Sequence, residues 1–259
     1  VFRLIRLFGA LFSLSLRRTL AFRADMFFEF VTTCIGAAAS LTALGMVFSR
    51  TDSLGGWSAG EATVLLGTFQ IVTGLRSTFV EPNLAWFGGQ VKNGQFDAVL
   101  LQPAPAIFLA SFGSFAPLAL IQVGVGLCIV VSGIVQAGLT ITATGVLGWL
   151  VVVAAATVVM WATRLMLASV VFWAFGLDLD VLYDAVWQFA RYPVSIYSPV
   201  LRIAFTYALP VALIATVPVE ALTRRAGGVV GAVAVAGAAG GVAWLIWRRG
   251  LRRYTSATS

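Results

Sequence analysis

Five stretches of this chain run for about twenty residues or longer with hardly a charge in them, the length a helix needs to cross the hydrocarbon of a bilayer. They are residues 26–48, 61–80, 106–135, 146–175 and 228–247. Only 10% of the 259 residues are charged, against about 25% in a soluble domain. With 60% hydrophobic residues, such a chain cannot clothe a surface that faces water. The sequence therefore predicts an all-α integral membrane protein, with residues 1–259 forming a single membrane domain.

Residues 181–219 are harder to read, because Pro193, Pro199, Pro210 and Pro218 interrupt them. In one reading, residues 181–197 form a fifth span and residues 198–220 dip back into the membrane from outside as a re-entrant hairpin. In the other, residues 200–217 are the fifth span. Proline-broken apolar backbone is tolerated at membrane depth where protein covers it, which favours the first. Both readings give six crossings, with the two ends on the same side.

Arginine and lysine near span ends choose that side. Arg3, Arg6, Arg17, Arg18 and Arg23 precede the first span, Arg248, Arg249, Arg252 and Arg253 follow the last, and Lys92 lies between spans two and three. The other side holds Arg50, Arg224 and Arg225, with Arg202 if the re-entrant reading holds. Both termini and the Lys92 loop are expected in the cytoplasm, in a multi-pass protein of the cell inner (plasma) membrane.

Residues 1–25 place Arg3, Arg6, Ala10, Ser13 and Arg17 on one helical face, with Leu4, Leu7, Phe8, Leu11 and Phe12 on the rest. This is the pattern of a helix lying in the headgroup plane, its arginines toward anionic lipid. A cleaved signal peptide is disfavoured, since no clean apolar core ends at a small-residue cleavage site. In the last span, Gly227/Gly231 and Gly237/Gly241 have the spacing that lets helix backbones approach, within the chain or between chains.

Several function classes are excluded or disfavoured. The chain has no histidine, the usual general base and commonest metal ligand. Cys34 and Cys128 lie far apart in apolar runs and read as buried small hydrophobes. Lys92, the single lysine, is not in a phosphate-binding loop. The net charge of +7 reflects membrane orientation, so no nucleic-acid partner is expected. Asp178, Asp180 and Asp184 resemble a calcium loop only superficially, without a closing glutamate. No metal, no cofactor and no catalytic residue is predicted in this chain.

Charges inside spans cost roughly 3 kcal/mol on insertion scales, so each needs a reason. Glu29 and Arg76 fall at similar depth on adjacent antiparallel spans and are expected to form an ion pair, unless Arg76 snorkels alone. Arg164 lies about a dozen residues from the cytoplasmic end of the fourth run, roughly 18 Å by the helical rise, too far to snorkel. It should face a polar cavity, a carbonyl or an acidic partner, as part of a pathway or as a strut between helices. Trp161, Phe172, Trp173, Trp187 and Phe189 could line a route for a hydrophobic or cationic molecule, or simply pack.

Residues 81–104 form the loop between spans two and three. Asn93 is a good helix N-cap, Asp97 suits a first turn, and Pro103 marks the far end. Phe96, Val99 and Leu100 then share one side of a short helix. Such a helix can lie on the bilayer, pack under the bundle or enter a partner's groove.

The order of parts, with "VKNGQFDAVLLQP" after the second span, resembles permease subunits of the type-2 ATP-binding-cassette (ABC) exporter family. "FARYPVSIYSPVLRIAFTYALPVALIATVP" is similar to a subgroup in which two related permeases accompany one ATPase, some linked to drug or viologen-like cation export. The resemblance implies that the loop is a coupling helix seated in a separate ATPase, through Val91, Phe96, Asp97, Val99 and Leu100. It implies two ATPase copies that bind the ATP and Mg, a second permease, related or identical, and a non-catalytic role for this chain. The chain would form half of an export pathway for a hydrophobic or cationic drug-like compound. The alternative is a stand-alone ion-coupled secondary transporter, which would place polar relay residues at mid-membrane and show repeated halves. The acids here collect near span ends, and no internal repeat is evident.

Overall fold

In the computed structural model, which describes residues 2–21, 23–174, 180–223 and 228–254, helices are joined by turns, with one isolated β-bridge between Leu54 and Trp57. Asp178, Arg224, Arg225 and Gly227 lie outside the described residues. α1 (Phe2–Leu20) and α2 (Arg23–Phe48) lead to α3 (Ala59–Phe79). Four short helices follow: α4 (Glu81–Leu84), α5 (Phe87–Lys92), α6 (Phe96–Leu100) and α7 (Ala106–Phe112). Then come α8 (Leu120–Ala137), α9 (Ala143–Ser169), the short α10 (Asp180–Gln188), α11 (Pro199–Ile203) and α12 (Thr216–Thr223), and α13 (Val229–Leu251).

Local chemistry sets several of these limits. Ser58 and Glu61 form a capping box at the start of α3. Gly138, at φ 60°, ends α8 in the left-handed conformation that glycine adopts without strain. Thr142 caps α9 by accepting from the Gly145 N–H at 3.1 Å. Among the described residues, four helical segments are long and apolar enough to cross a membrane: Ala24–Phe48, Pro117–Ala137, Ala143–Phe172 and Val229–Leu251. A fifth appears if α3 is counted with the bent continuation Glu81–Lys92.

Two expected runs are not continuous. The third, expected over residues 106–135, breaks after α7, and its long helix restarts at Pro117. Pro117 opens a 3-10 turn, since a proline lacks the N–H that a continuing helix would need. Residues 181–219 are likewise a series of short pieces, with Pro193, Pro199 and Pro210 each at the start of a new one. The path of that series is set by its contacts. The Tyr183 hydroxyl donates to the Met160 carbonyl of α9 at 2.9 Å, and Ser195 Oγ donates to Gly55, in the α2–α3 loop, at 2.9 Å. Phe205 folds back on Phe189, ring centroids 5.1 Å apart, and Ala221 and Leu222 then pack beside Gly148 and Gly145 near the start of α9.

Glycines seven residues apart decide which helices approach most closely. A Cβ on Gly67 would sit 2.7 Å from the Val130 nitrogen, and one on Gly133 would sit 2.7 Å from the Val64 nitrogen. Gly60, Gly74 and Gly126 make the same kind of contact, so α3 and α8 meet backbone to backbone along their length. Polar side chains cross the interior beside this seam. Gln122 donates to Gln70 at 2.9 Å, and Trp149 Nε1 of α9 donates to Thr68 at 3.1 Å. By contrast, Gly231, Gly237 and Gly241 of α13 face open space, and α13 packs instead through Ala232, Ala236, Ala243 and Trp247. The cysteines depart from the expected burial: Cys34 is half-buried and Cys128 exposed, because α8 turns Gly126 and Gly133, not Cys128, toward α3.

Gly67→Ala should force α3 and α8 apart, since the atoms it meets are backbone and cannot rotate away. A loss of about 1–3 kcal/mol is expected, read as a lower midpoint in thermal unfolding of the detergent-purified protein. Gly237→Ala, with open space around it, should leave that midpoint unchanged or slightly raised.

Candidate functional site

The chain turns sharply where α3 ends, bending by 46° into Glu81–Lys92. The loop that follows is a packed object. Asn83 staples its two ends: its amide donates to the Ser111 carbonyl at 3.0 Å and the Ser114 carbonyl at 2.8 Å, and its oxygen accepts from the Ser114 N–H at 2.8 Å. Gly94, at φ 70°, makes the corner between α5 and α6. Asn93 therefore ends α5 and does not cap α6, whose N-cap is Gln95 without a side-chain hydrogen bond. Asp97 does stand in the first turn of α6.

Aromatic rings lock this loop to the bundle. Phe87 and Phe96 are both fully buried, with centroids 5.1 Å apart. Around them stand Phe172, just beyond α9, at 5.7 Å from Phe87, and Trp247 of α13 at 5.2 Å from Phe87. Tyr254 lies 5.4 Å from Phe96, and its hydroxyl donates to Asp97 Oδ1 at 2.8 Å. Loss of water around the phenol, and the carboxylate it donates to, push the Tyr254 pKa up to about 12, so this donor keeps its proton. α1 docks at the same end of the bundle, with Phe8 and Phe12 at 4.9 and 5.5 Å from Phe115.

The five residues expected on the coupling face point in different directions. Val91 and Phe96 point into the chain's own core, and Val99 packs half-buried against it. Asp97 is held by Tyr254. Of the five expected residues, only Leu100 is turned outward. The larger outward groups are Leu101, 87% exposed, and Trp86, 73% exposed. Leu100 and Leu101 are adjacent and both stand outward, while Phe96 faces the bundle.

A charge network sits directly behind the loop. Glu81, the first residue of α4, lies 3.6 Å from Arg76 Nη1 and 3.4 Å from Arg164 Nη2. Arg76 Nη1 also donates to Asp184 of α10 at 2.6 Å. Both guanidinium groups stand over the Tyr183 ring, at 5.6 Å for Arg76 and 5.1 Å for Arg164. The expected Glu29–Arg76 pair is not formed. Glu81 follows Arg76 by little more than a turn and α10 delivers Asp184 from the other side, so both carboxylates reach Arg76 first. Arg164 meets an acidic partner, and it lies little more than a turn from the end of α9, because that helix stops at Ser169. Glu81 is the residue that sequence reasoning missed. Its signal was an acid set against a proline at the close of an apolar run. Trp187 is packed in the core and Phe172 in the aromatic cluster, while Trp161 is half-buried and Trp173 and Phe189 remain partly exposed.

Long apolar helices, with a packed loop held against them at one end, define a multi-pass membrane protein. Over residues 34–258 the chain matches the family described as ABC-2 family transporter protein, and it belongs to that family. It is thus a membrane permease component of an ABC transporter, of a family that generally works with ATPase subunits. No curated protein and no solved structure matches it.

Removing the shared acid takes the Glu81 carboxylate from both poorly solvated arginines and leaves Arg76 with Asp184. Glu81→Gln should therefore destabilise the protein by about 3 kcal/mol, the scale for breaking a buried pair, in thermal unfolding of the purified chain. Glu29→Gln, which removes no ion pair of this network, should leave the midpoint within about 0.5 kcal/mol of the parent.

Proposed function

We propose that this chain is one half of an ATP-driven export pathway, coupled through residues 81–104 to a separate ATPase that binds the ATP and Mg. The observation that carries the reading is the two-sided loop: Phe96 and Phe87 anchor it from behind, and Leu101 and Trp86 stand outward from it. A partner that pushes on such a loop moves α9 and α13 with it, because Phe172 and Trp247 are packed into the same cluster. The docking face we assign is Trp86, Leu100 and Leu101, with Lys92 at its margin. Two ATPases and a second permease, related or identical, would complete the assembly.

In this reading the chain crosses the plasma membrane six times. α1, the loop and the end of α13 lie at one end of the bundle, and the clustered arginines assign that end to the cytoplasm. Residues 180–196 pass from Met160 to Gly55 and supply a broken fifth crossing. Residues 198–220 then fold back as the re-entrant outer segment, with the Phe205–Phe189 stack supporting it. The cluster of Arg76, Glu81, Arg164 and Asp184 lends stand-alone ion coupling no support, since these four are paired with one another.

The test is capture of the ATPase from native membranes by the tagged chain in mild detergent. Leu101→Asp should abolish capture at an unchanged unfolding midpoint, because its side chain touches little of its own chain. Phe96→Asp should lower the midpoint as well, by about 3 kcal/mol or more for a charge placed in a buried aromatic cluster. Full capture and transport by Leu101→Asp would show that the docking face lies elsewhere.

A further inference from the structure

One embedded cation stands apart from the Glu81 network. Arg191 ends the 3-10 turn that follows α10, and its guanidinium lies 5.6 Å from the ring centroid of Phe69. Phe69 is midway along α3, about 15 Å from either end by the helical rise, while Ser195, four residues beyond Arg191, meets the outer loop at Gly55. Arg191 Nη2 donates to Gln188 Oε1 at 2.9 Å, whereas its buried Nε has no hydrogen-bond partner. Among the described residues no carboxylate pairs with it, since the ion pairs formed there use Arg76 and Arg164.

Arg191 also borders open space. A cavity of about 310 Å³ lies between it and the small residues Gly36, Ala39, Ser40 and Ala43 of α2. A second, of about 480 Å³, lies on its other flank beside Gln188, Phe189 and Tyr197. An unneutralised cation beside an apolar wall repels other cations and attracts anions with less screening than in water. Glycine, alanine and serine along α2 leave room for an apolar body beside it.

We propose that Arg191 is the recognition residue for an organic anion, an amphiphile whose carboxylate or sulfonate meets the guanidinium while its apolar part lies along the small-residue wall of α2. This rests on reading the chain as a permease, and it replaces the hydrophobic or cationic substrate that the subgroup resemblance suggested. An anionic lipid headgroup would offer the guanidinium the same chemistry, and Gly36→Leu separates the two, since a headgroup at Arg191 needs no room along α2.

The test uses the full chain in a nonionic detergent, titrated with dansyl-labelled undecanoic acid, its methyl ester and a trimethylammonium analogue of equal length. The acid should bind at least about tenfold more tightly than the other two, the scale of one charge-assisted contact. Arg191→Gln should erase that preference, and Arg191→Lys should keep most of it. Gly36→Leu, whose Cβ meets nothing within 4 Å, should fold normally and weaken all three probes by filling the cavity. Equal binding of acid and cation by the parent would overturn the proposal, as would an undiminished preference in Arg191→Gln or undiminished acid binding in Gly36→Leu. If Arg191→Gln does not fold, the parent's selectivity and Gly36→Leu decide the matter. ATPase capture is scored on the same preparations: retained capture without anion preference removes this site alone, and anion preference without capture removes the permease coupling alone.

Discussion

Glu81 holds Arg76 at 3.6 Å and Arg164 at 3.4 Å, two cations from two helices on one carboxylate. In water such contacts are worth little. Near the end of an apolar bundle they are obligatory, because each charge alone would be poorly solvated and the penalty rises as the surroundings dry. The network therefore specifies positions. Glu81 can satisfy both arginines only if the chain turns where α3 ends, and Asp184 can reach Arg76 only if α10 returns to the same place. The bend, the start of the loop and the seat of the broken stretch all follow from neutralising these charges together.

That constraint links the two ends of the proposed mechanism. The loop is joined to α9 and α13 by the Phe87, Phe96, Phe172 and Trp247 rings, and to α10 through Glu81, Arg76 and Asp184. The broken stretch that begins at α10 carries Arg191 a few residues later, beside the α2 cavity. A displacement of the loop thus has a continuous packed route to the cavity wall. α3 and α8, joined backbone to backbone by their glycines, provide the rigid frame against which such a movement would be felt.

Much of the architecture was legible beforehand, because the bilayer writes a strong requirement into sequence. The first, fourth and last long helices begin and end within a few residues of their apolar runs. The short helix after Gly94 was legible from Asp97 and Pro103, yet the direction its side chains face was not. Phe96 and Val99 do share a side while Leu100 stands outward, and periodicity does not say whether a given side meets a partner or the chain itself. Here the rings of Phe172, Trp247 and Tyr254, distant in sequence, fill the space behind Phe96. The same limit explains Arg76: depth along a helix predicted Glu29 as its partner, but depth is one coordinate of three.

By itself the sequence determined that the chain must enter a membrane, which segments are apolar enough to cross it, and where proline and glycine must interrupt them. These are local consequences of composition, backbone geometry and the lack of water in hydrocarbon. Only the tertiary structure decided which glycines form a seam, that Leu100 and Leu101 stand outward, which acid neutralises Arg164, and that Arg191 meets no carboxylate among the described residues. Each of those depends on the rotation of one helix against another, and that rotation is set by side-chain packing between residues far apart in the chain.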